Sequence, residues 1–167
     1  MKRWLYLSIL LPFVCGAQDG GDADSATRLE FRLVDAEINA LEISDSDELP
    51  VGREILNRRD GTPVVLYQER VISNQHIDQV TISDQVPPAV EVHFGPEGAQ
   101  RMLEATRENL NRPIAVVLIS GRSGETESIV INVATIRGSI SDSLQITGLT
   151  VPETVELASA MSDGLSL

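Results

Sequence analysis

The two histidines are the first side chains to consider for acid–base or metal chemistry. His76 and His93 have no histidine, cysteine or pair of carboxylates nearby at the spacing of metal ligands. A lone histidine on a strand is more often a surface or edge residue than a general base. The sequence therefore predicts neither a metal site nor histidine-based catalysis.

Two loops contain residue types that bind ions in other proteins. The run Ser120–Gly124 looks like a phosphate-binding loop, but it lacks the Gly-Lys-Ser/Thr ending and precedes a strand instead of a helix. Asp45, Asp47 and Glu48 could offer oxygen ligands to calcium, yet the glycine and bidentate acid of a calcium loop are absent. We interpret the first run as a hairpin and the second as a solvated acidic loop. No nucleophile stands beside a base, so we predict no catalytic residues, no cofactor and no enzyme activity.

Cys15 is the only cysteine, which excludes an intramolecular disulfide and a cysteine-based zinc site. It ends an apolar run, Trp4–Val14, that follows the basic pair Lys2 and Arg3, an order typical of a secretory signal peptide. The run is about half the ~20 residues that a membrane-spanning helix needs. We therefore predict a signal peptide over 1–17 and a periplasmic protein. Two forms of processing stay open, namely lipid attachment at Cys15, which would tether the protein to the membrane, and cleavage after Ala17.

The net charge of the chain makes some classes of partner unfavourable. It has 13 Lys and Arg against 25 Asp and Glu, a net charge of -12 that becomes about -14 without the leader. Such a surface repels phosphate backbones and anionic lipids, so we predict no nucleic-acid partner. Only Phe31, Tyr67 and Phe94 are aromatic after the leader, too few to line a base-stacking platform. The core must be aliphatic.

After a flexible linker over 18–27, residues 28–167 are predicted to form one domain. Asp35–Pro50 is rich in acidic residues and serine, which predicts a loop with a helical turn. Further along the chain, Ile77, Val80 and Ile82 show apolar spacing. Alternation of polar and apolar residues predicts a half-buried strand at Arg28–Val34, and a continuous aliphatic run predicts a strand buried on both faces at Ile114–Ile119. Further apolar runs predict the strands Val64–Tyr67, Ala89–Phe94, Ile129–Ile131 and Leu144–Thr147.

Two helices have clear start signals. Gly95–Pro96 opens the first, and Asn111 is a left-handed terminator before Pro113. Thr150 and Glu153 form a capping box at the start of the second. The predicted apolar stripes are Ala99, Met102, Leu103, Thr106 and Leu110 in the first helix and Val155, Ala158, Met161 and Leu165 in the second.

These elements predict an α+β fold. Each helix has one apolar face to bury, and the strands offer the surface that can cover it. The expected architecture is a two-layer sandwich, with a mixed or antiparallel sheet of about four to six strands and both helices on one face.

Several runs, in order, resemble the head of the first periplasmic domain of the SecD family. The similarity extends from about Arg28 to Leu165. Two departures keep the backbone roles of the family residues: Asn111 stands where the family has glycine, and Gly95–Pro96 replaces an Asp/Ser helix cap. The runs that carry the resemblance are Leu29–Asp35, Gly98–Ala99, Thr106–Asn109, Val130–Ile136, Ile146–Gly148 and Glu153–Ala158.

The resemblance implies a role in protein export. SecD is a translocase accessory subunit, paired with SecF, that uses the proton gradient, and its head is thought to contact the emerging chain. This sequence lacks the family's membrane helices. Arg107, Asn109 and Arg112 match the family run, but we interpret them as helix caps and carboxylate partners, and Asn132 and Thr135 as strand-edge or turn residues.

Two hypotheses about function follow. The first is a periplasmic, non-catalytic module of the Sec machinery whose partners are unfolded or extended polypeptide, or translocase components. The second is an envelope lipoprotein that reuses the fold for an unrelated ligand. The sequence identifies no partner-binding residues.

Overall fold

The computed structural model describes residues 27–43, 48–122 and 125–165. Two short 3-10 turns, Ala40–Glu42 and Asn74–His76, accompany the strands and helices. The regular elements are β1 (Arg28–Val34), β2 (Arg53–Asn57), β3 (Pro63–Ile72), β4 (Ile77–Ile82), β5 (Val90–Phe94), α1 (Pro96–Glu108), β6 (Pro113–Arg122), β7 (Glu125–Thr135), β8 (Ser143–Ile146) and α2 (Val151–Leu165).

The strands form two sheets, and every neighbouring pair is antiparallel. One sheet has the order β2-β3-β1-β6-β7 and the other β4-β5-β8. The α+β class is thus confirmed, although the single sheet that the sequence suggested is divided in two. The division occurs at the 3-10 turn Asn74–His76, which ends β3 and leads the chain into β4 of the other sheet. Asn74 fixes this turn to β1, because its Oδ1 accepts a hydrogen bond from the Leu29 N–H at 2.7 Å.

The five-stranded sheet curls so that its two edges approach each other. β2 contacts β7, and Arg58 forms an isolated bridge with Val130. The inner face of the curl has its own buried cluster, made of Val34, Leu66, Ala115, Val117, Ile119 and Val130. This arrangement confirms that β6 is buried on both faces. It also corrects the half-buried interpretation of β1, where the polar Glu30 and Arg32 are each 5% exposed.

The main core lies between the outer face of this sheet, the three-stranded sheet and the two helices. Phe31 and Phe94 join the sheets edge to face, with ring centroids 6.0 Å apart. Otherwise the core is aliphatic, as the sequence predicts. Its other buried members are Leu29, Ile72, Ile77, Val90, Val92, Met102, Ile114, Val116, Ile136, Ile146, Leu149, Leu157 and Met161.

Some strand bounds differ from the sequence expectations. Arg53–Asn57 forms β2 although no strand was predicted there, because its partly buried residues pair with β3 in a short hairpin. Pairing with both β2 and β1 also lengthens β3 to ten residues. The hairpin between β6 and β7 is confirmed, and Ser123 and Gly124 lie outside the described residues.

Helix α1 begins where the sequence predicts, but it ends at Glu108, before the predicted Leu110, and its buried face differs. Gly95 is its N-cap, Pro96 follows, and Asn111 has a left-handed φ of 64°. The buried residues are Gly98, Met102 and Thr106, whereas Leu103 is half-buried and Leu110 lies beyond the helix and is half exposed. The reason lies at Gly98, where a Cβ would come within 2.3 Å of the His76 carbonyl oxygen. Without a Cβ, α1 packs closely on the 3-10 turn with its 98–102–106 face.

Helix α2 has a related difference. Glu153 Oε2 accepts hydrogen bonds from the Thr150 backbone N–H and from its hydroxyl, both at 2.7 Å, so Glu153 caps the helix while the Thr150 hydroxyl acts as a donor. The predicted Ala158 and Met161 are buried, but Val155 is 53% exposed. Thr154 and Leu157 take its place, and the Leu165 side chain lies outside the described part of the chain.

Candidate functional site

A groove of about 330 Å³ opens between the two sheets, and we call it the inter-sheet groove. Its sides are the edge strands β7 and β8, together with the chain segment that joins them. Residues from distant parts of the sequence meet here, so no single run of the sequence identifies the groove. The lining consists of Phe31, Ile114, Val116, Asn132, Ala134, Thr135, Ile136, Arg137, Gly138, Ser139, Ile140, Leu144, Gln145 and Ile146.

The floor of the inter-sheet groove is an accessible part of the main core. Phe31, Val116 and Ile146 are buried there, while Leu144 is half-buried and Ala134 on β7 is exposed. An apolar side chain that entered the groove would meet aliphatic and aromatic surface, and burying it there would be favourable by about 25 cal/mol per Å².

Two side-chain hydrogen bonds set the shape of the groove. Asn132 Nδ2 on β7 donates to the Thr147 carbonyl oxygen just after β8, at 2.9 Å, and so ties the two edge strands together. Thr106 Oγ1, buried in α1, accepts from the Ile140 N–H at 3.0 Å and holds the connecting segment against the helix. The groove is therefore supported by both sheets and by α1.

The edge strands border the groove with backbone groups as well as side chains. β7 and β8 each end their sheet, although the bridge between Arg58 and Val130 engages β7 on its free side. Edge strands present backbone N–H and C=O groups that an extended peptide can pair with. Such pairing is independent of the peptide's side chains.

A second groove, of about 520 Å³, lies between α1 and β3, and we call it the helix groove. Four of its lining side chains are carboxylates and two are guanidinium groups, so the lining is acidic. Glu97 pairs with Arg101 at 3.0 Å, and Glu104 accepts from Gln100 at 2.9 Å. The lining consists of Leu33, Tyr67, Glu69, Arg70, Val71, Glu97, Gln100, Arg101, Glu104, Ala105, Glu108 and Asn109.

Charged residues also lie on the inner face of the curled sheet. Arg32 hydrogen-bonds Glu54, and Arg70 pairs with Glu30 Oε1 at 2.7 Å. Glu30 Oε2 is buried and makes no hydrogen bond, although Arg32 Nη1 lies 3.9 Å away. These ion pairs let β1 bury Glu30 and Arg32, because a buried charge needs a partner.

Arg53 joins β2 to the loop that follows β1. Its Nε donates to Asp35 Oδ2 at 2.6 Å, and its guanidinium stacks 3.5 Å from the centre of the Tyr67 ring. The hydrogen bond to Asp35 raises the pKa of Arg53 above its ordinary value. We interpret this cluster as structural, because it ties β1, β2 and β3 together.

Neither histidine is among the described residues that line the two grooves. His76 is 5% exposed and completes the 3-10 turn, with its Nδ1 accepting from the Ser73 N–H at 3.0 Å. His93 on β5 is half-buried and lies 3.9 Å from Glu91. Within the described ranges, no three His, Cys, Asp or Glu residues are grouped as metal ligands would be.

The family-like residues at the end of α1 have mainly local partners. Asn109 Nδ2 donates to the Ala105 carbonyl at 2.9 Å, and Arg112 donates to Asn109 Oδ1 at 3.1 Å and to the Tyr67 hydroxyl at 3.0 Å. The cap interpretation fits Asn109, but Arg112 meets a hydroxyl where a carboxylate was expected, and Arg107 is exposed. Asn132 and Thr135, predicted as strand-edge or turn residues, are on the edge strand β7 and line the inter-sheet groove.

Several predicted features fall outside the described residues. They are the leader 1–17 with Cys15, most of the linker 18–27, and Asp45 and Asp47, whereas their neighbour Glu48 is exposed. Over the ranges that the structure covers, no helix is both long and apolar enough to cross a membrane.

Comparison with known proteins identifies a family over most of the chain. A family model described as the P1 head subdomain of SecDF matches residues 53–165. Among curated proteins, protein translocase subunit SecD of Escherichia coli K12 is 29% identical over 137 residues, covering 74% of this chain and 22% of that protein. The same subunit of Haemophilus influenzae is 30% identical over 168 residues, covering 89% of this chain and 27% of that protein. The chain thus spans about a quarter of the length of these relatives.

Two solved structures share the fold. A crystal structure of SecDF in a super-membrane-facing form superposes with a TM-score of 0.57 at 23% identity, covering 86% of this chain and 20% of that chain. A structure of SecDF, titled as a membrane component that enhances protein export, superposes with the same TM-score at 25% identity, covering 86% of this chain and 66% of that chain.

Proposed function

Because the chain belongs to the SecDF P1 head subdomain family, we propose that it is a non-catalytic accessory module of protein export. The family match over residues 53–165 is the observation that carries this proposal. The relatives described above are named as translocase subunits, and one is titled as a component that enhances export. They give no support to the second hypothesis, in which the fold serves an unrelated ligand.

The proposed partner is an extended polypeptide, bound in the inter-sheet groove. Two features of the groove support this. The edge strands β7 and β8 can pair with a peptide backbone, and the apolar floor between them can accept its side chains. Since side chains alternate along an extended chain, every second one would point into the groove. Translocase components are the other partners that membership of the family suggests.

The composition of the groove favours binding over turnover. The described residues that line it include two hydroxyl side chains, Thr135 and Ser139, but no histidine, cysteine or carboxylate. A hydroxyl nucleophile needs an adjacent base. We therefore propose that the module holds a chain without cleaving or modifying it.

The acidic character of the molecule would add a long-range component. The net charge is -12, and the helix groove concentrates four carboxylates beside α1. This field attracts basic segments of an unfolded chain, and salt screens it over a Debye length of about 8 Å at physiological ionic strength. Binding should be weak and partly salt-sensitive.

A titration with an unfolded secretory protein tests the proposal. We expect saturable binding by the protein without its leader, weaker at high salt, and no change in the mass of the bound chain. Ala134→Trp would fill the groove from an exposed position and should reduce binding. Thr126→Trp, an exposed position on the same strand that does not line the groove, is the matched control. Folded protein that binds nothing at either salt concentration would contradict the proposal.

A further inference from the structure

The mouth of the inter-sheet groove has a charge opposite to that of the whole molecule. Among the described residues that line it, Arg137 is the only one with a charged side chain. The chain as a whole carries 25 acidic residues against 13 basic ones. The groove is therefore an apolar site with a positive group at its edge, within a strongly acidic protein.

Arg137 has a neutral partner. Its Nη1 donates to Asn111 Oδ1 at 3.3 Å, and within the described part of the chain it forms no ion pair with a carboxylate. Glu91 lies beside the lining residue Gln145, whose Nε2 donates to it at 2.6 Å, but Glu91 is not among the described lining residues of the groove. The positive charge of Arg137 is thus available to a ligand.

The position of Arg137 is fixed by its surroundings. Asn111 has a left-handed φ of 64°, and its N–H donates to the Ile136 carbonyl at 2.8 Å. The Ile136 N–H in turn donates to the Arg112 carbonyl at 3.0 Å. This pair of backbone bonds holds the start of the segment after β7 against the end of α1. The segment carries Arg137 beside the buried Ile136, at the boundary between the apolar floor and water.

We propose that Arg137 makes the inter-sheet groove selective for extended segments that carry a carboxylate next to apolar side chains. The inference rests on the proposed function and adds a specificity-determining residue to it. A guanidinium offers five N–H donors in a planar fork and can bind a carboxylate through two parallel hydrogen bonds. Apolar side chains of the same segment would enter the groove while the acidic one stays at its mouth.

The two charge effects act over different distances. The acidic field of the whole molecule attracts basic parts of an unfolded chain. The helix groove is the more acidic of the two grooves and is the one that would receive them. Direct contact with Arg137 then decides which segment settles between the sheets. A chain with both basic and acidic-apolar segments would be held at two places.

Three peptides test this proposal. They share an alternating apolar core and differ by an Asp, Asn or Lys at one end. The wild-type protein should bind the Asp peptide about two- to five-fold more tightly than the Asn peptide, the range expected of an exposed ion pair. Arg137→Gln should abolish this difference, and Arg137→Glu should make the Lys peptide the preferred ligand. Arg107→Gln removes the same charge from an exposed position outside both grooves and should leave the preference unchanged.

Each failure has its own meaning. If the Asn peptide binds, and the three peptides rank in the same order with the wild-type protein and with Arg137→Glu, the inference is overturned. The proposed function would still stand. Equal loss of the preference in Arg107→Gln and Arg137→Gln would also overturn it, since net charge alone would then be responsible. If no peptide binds the folded protein, both proposals fail. Arg137-dependent binding of decanoate without any peptide binding would instead identify a site for an anionic amphiphile.

Discussion

Glu153 stabilises the start of α2 most strongly in its ionised form. Its Oε2 accepts hydrogen bonds from the Thr150 backbone N–H and hydroxyl, and its Oε1 lies 2.5 Å from Arg59 Nη1 in the turn between β2 and β3. The hydrogen bonds from Thr150, with a smaller contribution from Arg59, lower the pKa of Glu153 below its ordinary value of 4.5. A carboxylate whose pKa falls on folding adds stability above its unfolded pKa and loses it as pH falls through the folded pKa.

Because ionisation of Glu153 adds stability, the effect of removing its carboxylate should depend on pH. Glu153→Ala should lower the denaturant midpoint at pH 7, because α2 loses its cap and the contact with Arg59. The difference from wild type should shrink as the pH falls below about 4.5, where the wild-type carboxylate itself takes up a proton. Glu48→Gln removes an exposed carboxylate elsewhere and serves as the control. A difference that is the same at pH 7 and pH 3 would show that ionisation of Glu153 has no part in capping.

At the scale of elements, α1 illustrates how packing decides between two similar faces. The sequence offers adjacent apolar residues at Met102 and Leu103, and periodicity alone assigns both to the stripe. In the structure Met102 is fully buried and Leu103 is half-buried. The choice is made by Gly98, which allows contact with the His76 backbone only on the Met102 face.

The two residues should therefore respond differently to truncation. Met102→Ala should reduce the free energy of unfolding by about 2–5 kcal/mol, since it leaves a cavity in the main core. Leu103→Ala should reduce it by about 1–2 kcal/mol, because much of that side chain already contacts water. Denaturant unfolding of both variants measures the difference. Equal losses, or a larger loss at Leu103, would show that α1 buries the other face.

The contrast between helix ends and sheet organisation shows what the sequence could predict. Gly95 and Pro96 mark the start of α1 through local backbone chemistry, and Asn111 has the predicted left-handed backbone in the turn that follows the helix. The curl of the five-stranded sheet depends on contacts between β2 and β7, which are far apart in the chain. Alternation along β1 therefore predicted an exposed polar face, whereas the curl and its ion pairs bury Glu30 and Arg32.

The inter-sheet groove was beyond prediction for the same reason. It exists because β7 and β8 end different sheets and because Ile136–Ile140 crosses between them. Its main fixed points, Asn132 to Thr147 and Thr106 to Ile140, join residues 15 and 34 positions apart. A sequence pattern identifies such residues as edge or helix positions but does not show that they meet.

At the scale of the whole molecule, the proposed function would use the two grooves in different ways. The helix groove is charged and suits a transient electrostatic contact, while the inter-sheet groove is apolar and flanked by strand edges. Weak contacts of both kinds let a module bind many sequences and release them. The proposed role in export requires such behaviour, and it also requires that the module lie on the far side of the inner membrane.

Export is therefore the last prediction. The basic start, the apolar run Trp4–Val14 and the small residues around Ala17 predict that protein purified from the cell envelope begins at Gln18 or at an acylated Cys15. Mass spectrometry of the mature protein distinguishes these forms, and incorporation of labelled palmitate that Cys15→Ala abolishes would identify the acylated one. Cys15→Ser is the closer steric control, because it retains a small polar side chain but cannot form the thioether. Envelope protein that keeps residues 1–17, or full-length protein confined to the cytoplasm, would contradict the export proposal, because a groove in the cytoplasm could not meet a chain that has already crossed the membrane.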